Sequence, residues 1–304
     1  MKSAHLYICD HLSLLRPGVD TTLAMARSSR AAGYESYWCL ISDLVWRNES
    51  LWVFARPFDG EHKVEPGTWL DANHVFKGVF VRTDPPVGRE YLAALWLLDA
   101  AEQKGLSVWN RPSTLSWANE KTLILRYPDL IPPTRVTNRV GELRDMIETE
   151  GAIVLKPLDG NGGRGVFVAT AEDRNLSALL ETATEEGQRQ VMAQKYLAKV
   201  REGDRRVLLV DGEALAVLNR VPAEDEHRAN MHVGAAATLV SLDADDLRIC
   251  SALTESFQTL GLRFVGLDII DGYLTEINVT SPTGVEEVLA GGGPDLCSYL
   301  MDRL

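Results

Sequence analysis

The chain has 304 residues, 45% of them hydrophobic and 24% charged, and carries a formal net charge of −12. That length exceeds one average domain and predicts two or three subdomains of an ordinary soluble protein, while the acidic balance excludes a general binder of nucleic acid or of acidic membranes. No apolar run approaches the roughly eighteen residues of a membrane helix, and Met1-Lys2-Ser3 has no signal-peptide layout. Cys9, Cys39, Cys250 and Cys297 are dispersed, which points to buried thiols in a reducing cytoplasm rather than disulfides or a zinc site.

In chain order, Ala4–Cys9 reads as a strand, and Asp20 caps a helix that runs to Gly33. Strands follow at Glu35–Ile41, around Trp52–Phe54 and at Val79-Phe80-Val81, the last ending in Arg82-Thr83-Asp84-Pro85-Pro86. A helix over Arg89–Lys104 and a strand over Leu106–Trp109 complete an alternation that implies a small, mostly parallel α/β unit. Ligands of such sheets lie beyond the carboxyl ends of the strands, which is where Arg82 and Asp84 fall, so Arg82 is a candidate substrate contact. Asn110-Arg111-Pro112 breaks the pattern. A helix expected from about Trp117 to Arg126 carries Asn119-Glu120-Lys121, and the proline-bearing Tyr127–Pro133 reads as a connection between domains.

Further on come a helix over Gly141–Thr149 and a strand over Ile153–Leu158. Leu155-Lys156-Pro157-Leu158-Asp159-Gly160-Asn161-Gly162-Gly163-Arg164-Gly165 then places a lysine at the end of an apolar run, with four glycines in six residues behind it. Such a segment brings backbone N–H groups and one cation to the phosphates of a nucleotide. The letters fit G-x-G-x-x-G, but the dinucleotide fingerprint needs a helix next, and Val166-Phe167-Val168-Ala169 is β-branched. Strand, glycine loop and strand make a flap over phosphates, and the absence of a Lys-Ser/Thr pair after the glycines excludes a Walker A loop. A helix near Leu176–Glu186, a strand over Gln190–Tyr196 and a hairpin of Arg205–Val210 with Ala214–Val221 follow. Pro222–Thr238 has little periodicity and reads as a long functional loop, after which Asp243 starts a helix ending at Gly261.

The last constellation lies in Phe264–Ile270 and Leu274–Val279, paired strands around Asp271-Gly272-Tyr273. A two-residue turn would pair Asp268 with Thr275. A three-residue turn with Gly272 left-handed pairs Asp268 with Glu276, and Asn278 joins their face by the period of two. Two carboxylates and an amide oxygen on one half-buried face call for a cation, and an all-oxygen set favours Mg²⁺. Thr283 and Glu286 fit a capping box, whose helix N-terminus would offer donors to an anionic substrate group.

Together these blocks resemble the ATP-grasp superfamily, and within it the bacterial glutathione synthetase family. The likeness runs almost the whole length and is densest at Arg82–Pro86, Asn119–Lys121, Leu155–Gly163, Met192–Leu197, Gly203–Val207, Gly266–Ile270 and Leu274–Gly284. It implies an α/β fold with α+β character in the lid and C-terminal parts: an N-terminal parallel α/β substrate domain (1–120), an ATP-grasp lid with the glycine flap (121–197) and a C-terminal ATP-grasp subdomain with the metal site (198–304). ATP would lie between the last two. Lys121 and Lys156 would hold its phosphates under Gly160, Gly162 and Gly163. Gln194, Lys195, Tyr196 and Leu197 would line the adenine, and Asp204 the ribose. Asp268, Glu276 and Asn278 would be the ligands of Mg²⁺, with Mn²⁺ as the alternative. Arg206 and Arg228 would face phosphate or a developing oxyanion as catalytic residues, and Asn230, Ser281, Thr283 and Gly284 would join Arg82 at the substrate.

The resemblance implies a ligase that joins a γ-glutamylcysteine-like acid to an amine such as glycine through an acyl phosphate, working as a homo-oligomer, tetramer or dimer. A family relative with another amine or acyl donor is the alternative, and a non-catalytic ATP-binding protein of the synapsin kind is a further one. His227–Ala237 keeps Arg228 and Asn230 but carries alanines where the family is usually glycine-rich, which bears on the identity of the amine.

Overall fold

The computed structural model describes residues 4–303 except 62, 161 and 224–235. Three sheets follow one another along the chain. The first contains β1 (Ala4–Ile8), β2 (Glu35–Cys39), β3 (Leu44–Arg47), β4 (Ser50–Pro57), β5 (Thr68–Asp71), β6 (Phe76–Val81) and β7 (Val108–Trp109) in the order β3-β4-β2-β1-β6-β7, with β5 on β4. Its parallel part is β2-β1-β6-β7. Apart from His5, which bonds Ser29, β1 reads as an apolar run because helices cover the sheet around it, and all five of its residues are buried. The expected Trp52–Phe54 segment is the middle of an antiparallel β3-β4-β5 extension, so this sheet is mixed rather than mostly parallel. The turn at Asn48-Glu49 sets that hairpin with two non-glycine residues at positive φ, a signal the composition of the loop does not announce.

The second sheet is antiparallel throughout, β10-β9-β11-β8, from β8 (Thr134–Thr137), β9 (Ala152–Pro157), β10 (Phe167–Thr170) and β11 (Val191–Lys195). The third is also antiparallel, β14-β13-β12-β15-β16, from β12 (Asp204–Val210), β13 (Glu213–Val221), β14 (Ala236–Val240), β15 (Phe264–Ile270) and β16 (Tyr273–Asn278). The expected loop Pro222–Thr238 therefore ends early: Ala236 pairs with Val221 and starts β14.

Helix boundaries follow local chemistry where the caps are local. The Asp20 carboxylate accepts from Thr22 N–H at 2.7 Å to open the helix Thr21–Ala31. Asp243 and Asp246 form a capping box on Ala244–Leu260, which stops at left-handed Gly261. The expected helix from Trp117 to Arg126 is not one element. A short helix, Pro112–Leu115, and a 3₁₀ turn, Thr122–Arg126, flank an irregular Asn119-Glu120 whose polar groups are taken by distant strands and loops. Nor does Thr283 cap a helix with Glu286. The six-residue helix Val285–Ala290 is preceded by Gly284 at φ 120°, and the Glu286 carboxylate instead pairs with Arg27 of the helix Thr21–Ala31.

Candidate active site

The carboxyl end of β9, the glycine loop behind it, β11 and the inner face of β12-β13-β15-β16 enclose a cleft of about 330 Å³. β9 delivers Lys156 to it, and the Lys156 ammonium donates to Gln194 Oε1 at 2.7 Å across the β9–β11 pair. Burial pulls the Lys156 ammonium below its ordinary value, and Glu276 opposes that. Lys121 reaches the same space from the 3₁₀ turn, bonding Gly160 O at 2.6 Å and Glu276 Oε1 at 3.2 Å. In the loop, Gly162, Gly163 and Gly165 take φ of 60°, 76° and 70°, which side chains disfavour. A Cβ at Gly160 would come within 2.8 Å of Pro157 Cγ.

The opposite wall is built by register. Asp268 faces Glu276 across β15–β16, and Asn278 lies on the same face, as expected. The route to that pairing differs from the expected one. The turn has two residues, Asp271 and Gly272, both at positive φ, and pairs Ile270 with Tyr273. A bulge at Thr275 then restores Asp268 to Glu276, with Thr275 Oγ1 donating to Asp268 O at 3.1 Å.

Sequence reasoning missed Arg220. It is 2% exposed and stands opposite Asp204 on β13, bonding that carboxylate at 2.6 Å and Asp268 Oδ1 at 2.9 Å. Arg206 adds a bidentate fork to Asp268, one arm at 2.9 Å. Two aspartates and two arginines thus form one buried network. Burial alone would raise the Asp268 carboxyl, but Arg206 and Arg220 outweigh it and hold the carboxyl well below the ordinary range. Asp204 has the opposite balance, and burial pushes it up against the pull of Arg220. The signal for Arg220 is its place directly opposite the carboxylate of Asp204 across β12–β13, visible only once that pairing is known.

The cleft brings together most of the sequence-predicted residues. Lys195, Tyr196, Leu197 and Asp204 line one part of it, and Ser281 and Thr283 line its outer edge with Asp84. The N–H groups of Lys195 and Tyr196 are bonded to Pro133 O and Ala152 O at 2.9 Å each. Arg82 does not line the cleft. It is buried beneath the rim, donating to Pro282 O at 3.0 Å and to Thr22 Oγ1 at 3.3 Å. Gly284 lies behind the rim, against the Leu218 side chain. Arg228 and Asn230 fall outside the described residues. All four cysteines are buried and unpaired by disulfides, and no helix among the described residues is long and apolar enough to cross a membrane.

The chain matches two family models in succession: the N-terminal domain of prokaryotic glutathione synthetase over residues 4–116, and its ATP-grasp domain over 120–292. It is 43% identical over 306 residues to a glutathione synthetase of Parasynechococcus marenigrum, covering 98% of each chain. It is 38% identical over 310 residues to one of Thermosynechococcus vestitus, covering 97% of each. Among solved structures, the D-cycloserine synthetase DcsG superimposes with a TM-score of 0.68 at 17% identity, covering 98% of this chain and 97% of that one. The ATP-grasp ligase PsnB with a minimal precursor superimposes with a TM-score of 0.67 at 18% identity, covering 99% and 98%. At such identities the structural likeness speaks for the ATP-grasp fold alone.

Proposed function

The chain belongs to the prokaryotic glutathione synthetase family, and from that premise we propose that it joins γ-glutamylcysteine to glycine with ATP, through an acyl phosphate. The observation that carries this reading is the facing of two lysines and a glycine loop, on one wall, by Asp268, Glu276 and Asn278 on the other. A carboxylate is a poor electrophile. Its oxygen bonds the γ-phosphorus of ATP as the bond to ADP breaks. The amine nitrogen then adds to the acyl carbon, inorganic phosphate leaves with its bonding pair, and the nitrogen loses a proton. Lys121 and Lys156 offset the negative charge that gathers in the first step, and we assign the oxyanion of the second to Arg206 and Arg228, as the family resemblance implies. The glycine loop folds over the phosphates and keeps water from the acyl phosphate.

The donor set fits Mg²⁺. Its atoms are hard oxygens on one face, and Asn278 Nδ2 donates to Gly266 O, which leaves the amide oxygen as the ligating atom. A bound Mg²⁺ would neutralise phosphate charge as a Lewis acid. Asp268 meets two cationic side chains, Arg206 and Arg220, and Glu276 meets Lys121 alone, so Glu276 is the carboxylate with fewer cationic partners. We also read residues 121–197 as the moving lid and the active species as a cytoplasmic homo-oligomer. The test is ADP release by the purified protein with Mg-ATP and γ-glutamylcysteine, across glycine and a panel of amines. Selective turnover with glycine is expected; turnover only with another amine or another acid moves the chain to a different ligation.

A further inference from the structure

Asn119-Glu120-Lys121 supplies one phosphate lysine to the reading above, which leaves Asn119 and Glu120 without a stated part. Their bonds are long in sequence and short in space. Glu120 Oε1 accepts from Val279 N at 2.9 Å, Thr280 N at 3.0 Å and Thr280 Oγ1 at 2.7 Å. Glu120 O accepts from Ile277 N at 3.0 Å. Asn119 Oδ1 accepts from Lys121 N and Thr122 N at 3.1 Å each, while its Nδ2 donates to Leu158 O at 2.8 Å. The tripeptide therefore grips two things at once. Asn119 holds the root of the glycine loop, and Glu120 holds the end of β16 directly after Glu276 and Asn278.

We infer that Glu120 is a positioning residue for the ligation: its carboxylate fixes the end of β16 relative to Lys121, and so sets the distance between the phosphate lysine and the Glu276–Asn278 pair. The inference rests on the reading of the cleft as an ATP-dependent ligase site. Three observations favour it over plain packing. One carboxylate oxygen takes three donors, two of them backbone N–H groups that no strand partner serves because β16 has ended. Lys121, the next residue, bonds both walls, at Gly160 O and at Glu276 Oε1. Glu120 also lines the cleft, in a half-buried position. Burial, and then the like charge of Glu276, push the Glu120 carboxyl up against the hydrogen bonds from Thr280. A displacement of about 1 Å between positioning groups is enough to cost on the order of a hundredfold in rate.

The experiment uses the full chain and the variants Glu120→Ala, Glu120→Gln and Thr280→Val. It measures the dissociation constant of Mg-ADP by calorimetry, together with kcat and the KM for γ-glutamylcysteine, all well below each variant's melting temperature. Removing the shared acceptor strands three donors, and Glu120→Ala is expected to weaken Mg-ADP about tenfold and to lower kcat on the order of thirtyfold. The KM for γ-glutamylcysteine should stay within about threefold, because that substrate's groups are not the ones displaced. Glu120→Gln keeps an acceptor oxygen at the same reach and should stay within about threefold of the parent in every constant. Thr280→Val removes one donor at nearly constant volume and should lower kcat about threefold, which decides the matter if Glu120→Ala does not fold. Parent-like kcat and Mg-ADP binding in Glu120→Ala, or equal losses in Glu120→Ala and Glu120→Gln, would overturn the inference. If the parent makes no glutathione, the function reading fails by itself, and Mg-ADP binding by the three variants still decides whether Glu120 positions the cleft.

Discussion

The two walls of the cleft are made by opposite means. The glycine loop between β9 and β10 gets its shape from backbone: three positive-φ glycines among the described residues, with an outward ion pair from Asp159 to Arg189. The wall formed by β12, β13, β15 and β16 gets its shape from buried charge, with Asp204, Arg206, Arg220 and Asp268 all at 7% exposure or less. On the proposed reading, backbone freedom would let the first wall close over phosphates of varying position, at a conformational cost met on each closure. Desolvated charges fix the second wall, because moving any one of them strands another without a partner. The proposed ligation needs both, since phosphates must enter and leave while the carboxylates assigned to a cation must hold still.

The comparison breaks first at Glu276. If the charged wall carries the chemistry, Glu276→Gln should lower turnover about a thousandfold and leave the melting temperature nearly unchanged, because Glu276 sits at the cleft side of the network. Activity within tenfold of the parent would take the metal-facing role away from this wall. Arg220→Ala tests the other property, rigidity. It leaves Asp204 and Asp268 buried with Arg206 alone. Breaking such a pair costs about 3 kcal/mol in stability, readable as a shift in the denaturant midpoint. A loss below about 1 kcal/mol would mean the network behaves as a surface cluster.

The same contrast explains what the sequence could show. The glycine loop was legible because its signal is local: Lys156 ends a strand, and glycines follow at once. The Asp268–Glu276 pairing was legible from the period of two and the demand that both carboxylates share a face, even though the expected three-residue turn is a two-residue turn followed by a bulge at Thr275. Turn length and bulge trade off along a strand, and only the far register is constrained by burial. What stayed hidden depends on partners far along the chain. Arg220 matters because Asp204 lies opposite it. The helix expected over Trp117–Arg126 fails because Asn119 and Glu120 serve Leu158, Val279 and Thr280. Thr283 and Glu286 have the letters of a capping box, yet Glu286 is taken by Arg27, 259 residues upstream. Arg82 was placed correctly at a strand end, but its neighbours Thr22 and Pro282 put it under the rim rather than in the cleft.

The smallest effect separates the walls most cleanly, because it reads salt rather than size. Partial burial raises the Asp159 carboxyl, but the hydrogen bond from Arg189 outweighs it, so the folded-state value lies below the ordinary one. A carboxyl depressed on folding adds stability above its unfolded pKa of about 3.9, and that contribution fades as pH falls through the lower folded value. The Asp159 side chain is 62% exposed, so the pair is worth only about 0.5 kcal/mol at neutral pH and low salt. Asp159→Asn should therefore cost that small amount at pH 7, nothing once both carboxyl states are protonated at low pH, and nothing in about 1 M salt, where screening acts within about 3 Å. Arg220→Ala should keep most of its cost in the same salt, since its partners Asp204 and Asp268 are buried at 7% exposure or less and are screened far less than an exposed pair. An Asp159→Asn loss that survives salt would show that the flap, too, is held by desolvated charge, and a wall so held could not open for nucleotide exchange by backbone freedom alone.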